Sequence, residues 1–257
     1  MAAGRAEPPL SGLPRRGGAA AAGAEVRIRS HAGVRVVAAD RVRLEHFEGS
    51  VPWRRWRSYH GQPHLSGSYW AATVADHVVY ESRLELERLL LADFDPQVTA
   101  MWAQPCLLSS VVDGVERRHV PDFLFAGRDG AVTVVNVKPA DRLLDPKIAA
   151  ALAWPGAVFA GHGWGYEIWS GELRAVVENV RFLAGYRRAG LVDAAVLDRA
   201  WSQVADAEAL GDAERRLAGD APGWTVRPVL LTLLWRHRLE TDLRRPLSTA
   251  SILRRCP

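Results

Sequence analysis

The sequence predicts an α/β fold, a conclusion that rests on three observations. Residues 80–94 have the leucine spacing of a half-buried helix. Three strand-like runs follow, at 106–112, 115–125 and 131–137. A helix-like segment at 145–154 and another strand-like run at 165–169 restore the alternation of helix and strand. With 257 residues, 48% of them apolar, the chain is long enough to form a full hydrophobic core.

Composition separates an N-terminal arm from the predicted core. Residues 1–30 are rich in Ala and Gly, contain no aromatic residue and carry five arginines against two glutamates. Such a segment buries too little apolar surface to offset the conformational entropy lost on folding, so we predict a disordered basic arm. Residues 31–190 are then predicted to form the main domain.

The C-terminal residues 191–257 predict a small second module. Helix-like runs at 171–188 and 192–206 precede an apolar helix at 228–237, and two short strand-like pieces flank Pro246. Helices followed by a basic β-hairpin predict a winged-helix-like module. A plain helical cap with a β-hairpin has the same sequence signature, so both interpretations stay open.

The formal net charge of +4 is carried almost entirely by arginine, since only two of the 33 basic residues are lysines. Guanidinium groups suit phosphate, which is compatible with a nucleic-acid partner, although a compositional bias toward arginine explains the excess equally well. No run approaches the ~18 apolar residues of a membrane helix, and the N-terminus lacks a secretory signal. We therefore expect a cytoplasmic protein, associated with the nucleoid when DNA is bound, without a membrane partner.

Aromatic and basic residues are interleaved between residues 31 and 80. Trp53 and Trp56 alternate with arginines, and Trp70 follows. This pattern can hold nucleic acid by stacking and charge. The alternative is that the tryptophans belong to the core and the arginines to a solvated face.

The turn between the second and third strand runs decides which side chains share a face, whereas Asp113-Gly114 predicts a tight hairpin between the first two. A two-residue turn at 129–130 would set Asp122 opposite Val137. Because side chains alternate along a strand, Asn136 and Lys138 would then lie on the other face, and no site could form.

A three-residue loop over 128–130 gives the opposite result. With Gly130 in the left-handed conformation, Asp122 lies directly opposite Asn136. Lys138, two residues on, then shares their face. The use of a rare lysine at this position favours a role that needs a compact ammonium group.

The helix predicted over 80–94 contributes a carboxylate. At 100° per residue Glu81, Glu85, Arg88 and Ala92 form a narrow stripe without leucine, with Glu85 near its centre. One interpretation is a solvated stripe with a Glu85–Arg88 contact. The other is a functional Glu85, for which Glu81, one turn earlier, is the main rival.

Two carboxylates and a lysine that meet at one point are suited to metal-assisted phosphodiester hydrolysis. The segments YESRLE, LLADFDPQV, AQP, RRHVPDF and VVNVKP, in this order, resemble the TnsA family of heteromeric transposase endonuclease subunits, within the PD-(D/E)xK nuclease superfamily. The match covers roughly residues 65–190. The resemblance implies a restriction-endonuclease-like mixed β-sheet core flanked by helices. It also implies Glu85, Asp122 and Lys138 as catalytic residues, with Glu85 and Asp122 as ligands of Mg²⁺, for which Mn²⁺ can substitute.

One departure concerns the third acid of the broader superfamily, which is Asn136 here. An amide oxygen can still bind a metal, but the site loses one negative charge, so modest metal affinity is expected. Gln104 and His119 are predicted near the site, with either a structural or a DNA-contacting role. Arg117 and Arg118 either contact phosphate or lie on a solvated strand edge.

The resemblance also implies a function and partners. The expected activity is a Mg²⁺-dependent endonuclease that cuts one strand of double-stranded DNA at transposon ends. The expected partners are a DDE-type transposase subunit, which cuts the other strand, and a regulatory AAA+ ATPase. Two alternatives remain: a catalytically degenerate DNA-binding or assembly subunit, and a stand-alone repair or restriction-type nuclease.

Overall fold

The structure, a computed structural model, describes residues 23–54, 66–219 and 226–256. The strands in the first half of these ranges are β1 (Glu25–Ser30), β2 (Gly33–Ala38), β3 (Gly67–Ala71), β4 (Asp76–Tyr80), β5 (Val98–Ala103), β6 (Leu107–Val112) and β7 (Val115–His119). The later strands are β8 (Phe123–Gly127), β9 (Val132–Val137), β10 (Gly165–Trp169), β11 (Glu208–Ala209), β12 (Leu239–Glu240) and β13 (Ile252–Arg255). The helices are α1 (Arg83–Phe94), α2 (Pro146–Gly161), α3 (Arg174–Leu183), α4 (Ala194–Gln203), α5 (Leu210–Ala218) and α6 (Arg227–Trp235).

A four-stranded mixed sheet in the order β10-β9-β8-β5 lies at the centre of the fold. Strand β8 pairs antiparallel with both β5 and β9, whereas β10 runs parallel to β9. A parallel pair needs a crossover connection, and α2 provides it between β9 and β10. The predicted α/β class is confirmed.

Each face of the central sheet has its own hydrophobic core. Phe123 and Val135 point into a core that includes residues of α1, α3 and α6. Leu124 and Val134 point the other way, into a core shared with α2 and with a second sheet of order β2-β1-β6-β7. In the part of the chain that is described, no helix is both long and apolar enough to cross a membrane.

The loop between β8 and β9 has three residues, the second of the two predicted possibilities. Phe123 pairs with Val135, and this register continues to Gly127, whose N–H donates to the Ala131 carbonyl at 2.7 Å. Gly130 has a φ of +80°, in the left-handed region. Asp122 therefore stands opposite Asn136.

The strand predicted at 115–125 is wrong as a single element. It divides into β7 and β8, which lie in different sheets, and Pro121 stands at the break. Proline has no N–H to donate to a ladder, so the strand cannot continue through it. The hairpin at Asp113-Gly114 is confirmed, with φ values of +53° and +77° that fit a tight primed turn.

The predicted disordered arm ends too late. Residues 25–30 form β1, and the alternation of Val26 and Ile28 buries two side chains in the second core. The two-residue alternation of apolar side chains is typical of a strand, but residues 25–30 were assigned to the arm because the residues before them are rich in Ala and Gly. Residues 1–22, which include most of the predicted arm, lie outside the described residues.

The C-terminal segment contains more structure than the sequence predicts. The predicted helices correspond to α4 and α6, and the two strand-like pieces pair as β12 and β13. In addition, β11 pairs with β13 and leads into α5. Strand β11 and helix α5 have only two and nine residues, which is too short for a periodic pattern to be distinguished in the sequence. Helix α6 is buried from Val229 to Trp235 and belongs to the same core as α1.

Asp93, near the end of α1, ties the β3–β4 hairpin to the helix. Its buried carboxylate accepts hydrogen bonds from the Tyr69 hydroxyl at 2.7 Å and from the Thr73 N–H and hydroxyl, both at 2.8 Å. The Ala72 N–H also donates to it, at 3.1 Å. The turn of the hairpin is thus organised around one buried acceptor.

We predict that Asp93→Ala lowers the free energy of unfolding by about 3 kcal/mol, because it leaves buried donors without an acceptor. Asp95→Ala removes a nearby exposed carboxylate that accepts from a single N–H, of Gln97, and should cost less than about 1 kcal/mol. Urea unfolding of the two variants measures the difference. Equal losses would contradict the role of Asp93.

We also predict that Gly130→Ala lowers the free energy of unfolding by about 1–2 kcal/mol, because alanine is strained at a left-handed φ. The added Cβ meets no atom within 4 Å, so the cost is conformational and not steric. Gly185→Ala, equally open but without a left-handed φ, is the control and should not be destabilising. Equal effects in urea unfolding would argue against the three-residue loop.

Candidate active site

Asp122 lies at the point where the chain passes from one sheet to the other. Its backbone N–H donates to Val135 at 3.1 Å, and its Oδ2 accepts from the Val137 N–H at 2.7 Å. The residue is only 7% exposed, and its Oδ1 takes no hydrogen bond from the described residues. Burial raises the pKa of Asp122, while Lys138 and the Val137 N–H oppose the shift.

Asn136, opposite Asp122 on β9, is fully buried and hydrogen-bonded to His119. Its Oδ1 lies 2.7 Å from His119 Nε2, whereas its Nδ2 has no hydrogen-bond partner among the described residues. Burial lowers the pKa of His119 to about 4, with smaller contributions in the same direction from Lys138 and Arg54. A neutral imidazole that carries its proton on Nε2 can donate to the amide oxygen.

Lys138 completes the group predicted from the β8–β9 register. Its backbone N–H donates to Trp169 of β10 at 2.9 Å, and its side chain lines a cleft with a volume of about 680 Å³. We call this the Asp122 cleft; its charged and polar lining residues are Arg54, His119, Asp122, Asn136, Lys138, Asp141 and Arg142. Asp122, Asn136 and Lys138, which the three-residue loop placed on one face in the sequence analysis, thus meet His119 in one cleft.

Glu85 is adjacent to this cleft but does not line it. Ser82 caps α1 and accepts from the Glu85 N–H at 3.1 Å. The Glu85 carboxylate closes the cap, since its oxygens accept from the Glu81 N–H at 2.7 Å and the Ser82 hydroxyl at 3.1 Å. Burial raises the pKa of Glu85 to about 7, and the negative charge of Asp122 adds to the shift. The two carboxylates are therefore within electrostatic range of each other.

Glu81, the rival for the helix carboxylate, is paired with Arg54 at 2.6 Å. Arg54 was not among the predicted site residues, although it belongs to the Trp- and Arg-rich segment singled out from the sequence. Arg55, Trp56 and Arg57 of that segment lie outside the described residues. The Glu85–Arg88 contact is wrong, because Arg88 forms a bidentate pair with Glu167 of β10 at 3.1 and 2.8 Å.

Gln104 forms hydrogen bonds to two segments of the chain beside the site. It is buried with a φ of +46°, and its N–H donates to the Asp122 carbonyl at 2.8 Å. Its carbonyl and its Oε1 accept from the N–H groups of Trp53 and Arg54, at 2.9 and 3.1 Å. Gln104 therefore holds the Arg54 segment against Asp122.

Arg117 and Arg118 lie exposed on β7, the edge strand of the second sheet. Arg118 pairs with Glu116 at 3.0 Å. Neither residue lines the Asp122 cleft. This position is that of a solvated strand edge.

Within the described ranges, no three or more His, Cys, Asp and Glu side chains are grouped closely enough to hold a metal ion. A metal at the Asp122 cleft would need the amide of Asn136 or a rearranged Glu85 in addition to Asp122. Comparison with known proteins gives no family: no family model matches the chain, and no curated protein matches it.

We predict that Glu85→Gln stabilises the metal-free protein at high pH. A carboxyl whose pKa rises from 4.5 to about 7 on folding favours the folded state fully below pH 4.5 and loses that contribution as the pH rises through 7. Glutamine keeps a capping oxygen without the charge. As the pH rises from about 5 to about 8, the free energy of unfolding of the variant should increase relative to that of the wild type by on the order of 2 kcal/mol.

Urea unfolding in EDTA at several pH values measures this difference. Glu87→Gln, on the same helix, controls for the loss of one negative charge. A constant difference between Glu85→Gln and the wild type at all pH values would contradict a buried, uncompensated Glu85 carboxylate.

Proposed function

We propose that this chain is a Mg²⁺-dependent DNA endonuclease, the strand-cutting subunit of a TnsA-like heteromeric transposase. The observation that carries the proposal is the convergence of Asp122, Asn136 and Lys138 in one cleft through the β8–β9 register. A carboxylate, an amide oxygen and an ammonium group are the chemistry that metal-assisted phosphodiester hydrolysis needs.

The order of elements supports the same proposal. Helix α1 precedes β5, and β8 and β9 follow before α2 crosses to the parallel strand β10. The order is thus a helix, three antiparallel strands, a second helix and a parallel strand. This order fits the restriction-endonuclease-like core that the sequence resemblance implies. The hairpin of β6 and β7 is then an insertion between the first two strands of the core.

The residues of the cleft fit a hard divalent cation in part. Asp122 offers a carboxylate oxygen that accepts no hydrogen bond from the described residues, and its raised pKa indicates a buried charge that lacks sufficient compensation. Asn136 can add its amide oxygen through a second lone pair. Glu85 would have to share or release a hydrogen bond of the helix cap. When bound, Mg²⁺ would lower the pKa of a bound water and offset negative charge on the phosphate.

The other residues of the cleft would act on the phosphate and the nucleophile. Lys138 presents a positive charge beside Asp122, where it would stabilise the developing anion or orient the attacking water. Arg54 and Arg142 line the same cleft and would bind the phosphates that flank the cut. His119 would position Asn136 through the hydrogen bond to its amide.

The proposed partners follow from the sequence resemblance: a DDE-type transposase subunit that cuts the opposite strand, and an AAA+ ATPase regulator. The order of elements in the C-terminal segment is helix, strand, helix, helix, strand, strand, which supports the proposal of a winged-helix-like module. It would contact partners or DNA through surfaces other than α6, since that helix is buried.

A second candidate function is a DNA-binding or assembly subunit that has lost catalysis. It is favoured by one observation, the absence in the described part of three acidic, His or Cys groups placed to hold a metal. This candidate predicts DNA binding that is independent of Mg²⁺ and of Glu85.

Calorimetric titration of Mn²⁺ into the full chain tests the proposal. We expect saturable binding in the wild type and its loss in Asp122→Asn, which removes a ligand charge and keeps the size of the side chain. Asp113→Asn, in the exposed β6–β7 turn, removes one charge where asparagine tolerates a left-handed φ, and should bind Mn²⁺ as the wild type does.

Nicking of supercoiled DNA with Mn²⁺, alone and with the proposed partners, provides the second measurement. Cutting that survives Asp122→Asn would contradict the assigned site. A wild-type chain without saturable Mn²⁺ binding, even with DNA present, would favour the non-catalytic subunit.

A further inference from the structure

A second basic surface lies at the other end of β8. A groove of about 1150 Å³ is lined by arginines from three separate elements: Arg128 in the β8–β9 loop, Arg187 and Arg188 after α3, and Arg236 at the end of α6. We call it the Arg128 groove. It shares no lining residue with the Asp122 cleft.

The groove arginines have no acidic partners within the described ranges. None of the four forms an ion pair there, whereas Arg54, Arg88 and nine other arginines of the described residues do. Two carboxylates line the groove, but Asp93 is occupied by the hydrogen bonds of the β3–β4 hairpin and Asp95 accepts from Gln97. Four guanidinium groups against two carboxylates leave the groove with an excess of positive charge, which is available to an external anion.

Two of the arginines are held in place by an aromatic side chain. The guanidinium groups of Arg187 and Arg188 lie 5.7 and 5.3 Å from the ring centre of Trp70. Arg187 also donates to the backbone carbonyls of Trp70 and Ala184. The Arg188 side chain donates no hydrogen bond to the described residues, so its N–H donors are available to an oxyanion, and part of the ordering cost of binding is already met by its position on the ring.

The lining favours a phosphate backbone over an acidic peptide. Protein interfaces are anchored by large apolar side chains in their centre. In the groove, Trp70 is covered by arginines and Trp235 is buried at 6% exposure, so no such anchor is free. Three of the four groove arginines are exposed, and the fourth, Arg187, is half-buried. Arginines gathered from several elements are typical of sequence-independent phosphate contacts.

We propose that the Arg128 groove is a second DNA-contacting surface that binds the duplex backbone away from the cut. The inference rests on the proposed function for the identity of the polyanion. Six residues of strand separate Asp122 from Arg128, or roughly 20 Å at about 3.3 Å per residue. One duplex spans that distance in about six base pairs, at about 3.4 Å each. The groove, lined by residues next to α1, α3 and α6, would therefore contact backbone phosphates away from those in the Asp122 cleft.

The test measures binding of a labelled duplex in EDTA over a series of salt concentrations. The variant carries Arg128→Gln, Arg188→Gln and Arg236→Gln, which leaves the partly buried Arg187 untouched. Losing three phosphate contacts should reduce the slope of log K against log salt by roughly 2.7, at about 0.9 per contact, and weaken binding at low salt at least about tenfold.

The control variant carries Arg35→Gln, Arg41→Gln and Arg199→Gln. These arginines are exposed, form no ion pair in the described part of the chain and line neither the groove nor the cleft, so the change in net charge is the same. The control should keep a slope close to that of the wild type. Equal losses of slope in the two variants would overturn the groove as a specific surface and leave only a net-charge effect.

Two further outcomes are decisive. Unchanged DNA binding in the groove variant, together with lost binding of a labelled polyglutamate peptide, would overturn the proposal in favour of an acidic protein partner. Because the assay contains no metal, it is separate from the Mn²⁺ titration. If the groove variant loses DNA binding and the wild type shows no Mn²⁺ site, the groove is supported and the nuclease is refuted. If the groove variant binds DNA as the wild type does and the Mn²⁺ site is present, the nuclease is supported and the groove is refuted.

Discussion

The register between β8 and β9 is the constraint on which the rest of the candidate site depends. A three-residue loop pairs Gly127 with Ala131, and every later pair follows from it, up to Asp122 opposite Asn136. A shift of one residue would exchange the faces of all side chains on one strand. It would also remove the Val137 N–H from the Asp122 carboxylate. The chemistry of the cleft is therefore determined by a turn at the far end of the hairpin, where a glycine adopts a left-handed φ.

Local signals in the sequence were sufficient for most elements, whereas they left two registers open for β8 and β9. Three of these signals are the Asp113-Gly114 turn, the leucine spacing of α1 and the glycine at position 130. Each involves only a few neighbouring residues, so it can be recognised in the sequence without tertiary information. The division of 115–125 between two sheets could not be predicted from local sequence, because it depends on which other elements cover each half. Pro121 was the available signal. The position of Glu85 was missed in a different way: its stripe on the helix was identified, but its role in the cap required the Ser82 geometry.

Three titratable groups near the cleft are displaced toward their neutral forms by the same cause. Burial raises the pKa values of Glu85 and Asp122 and lowers that of His119. The negative charge of Asp122 also raises the pKa of Glu85, and that of Glu81 raises the pKa of Asp122. This arrangement costs folding free energy, which the surrounding cores must supply. A site that is unfavourable without a counter-charge becomes favourable once a cation neutralises it, so burial here is more consistent with binding than with stability.

The burial of α6 links the C-terminal segment to both basic surfaces. Because Leu230 and Leu233 belong to the same core as α1, the segment cannot move away from the central sheet without exposing that core. Arg236, at the end of α6, is thereby fixed relative to Arg128 and to the strands that carry Asp122. A recognition helix free to enter a major groove would have needed the opposite arrangement, with its apolar face small and its outer face solvated. The spacing between Arg236 and Arg128 is thus set by the packed core, and a polyanion bound by both, as proposed, would have to fit that spacing.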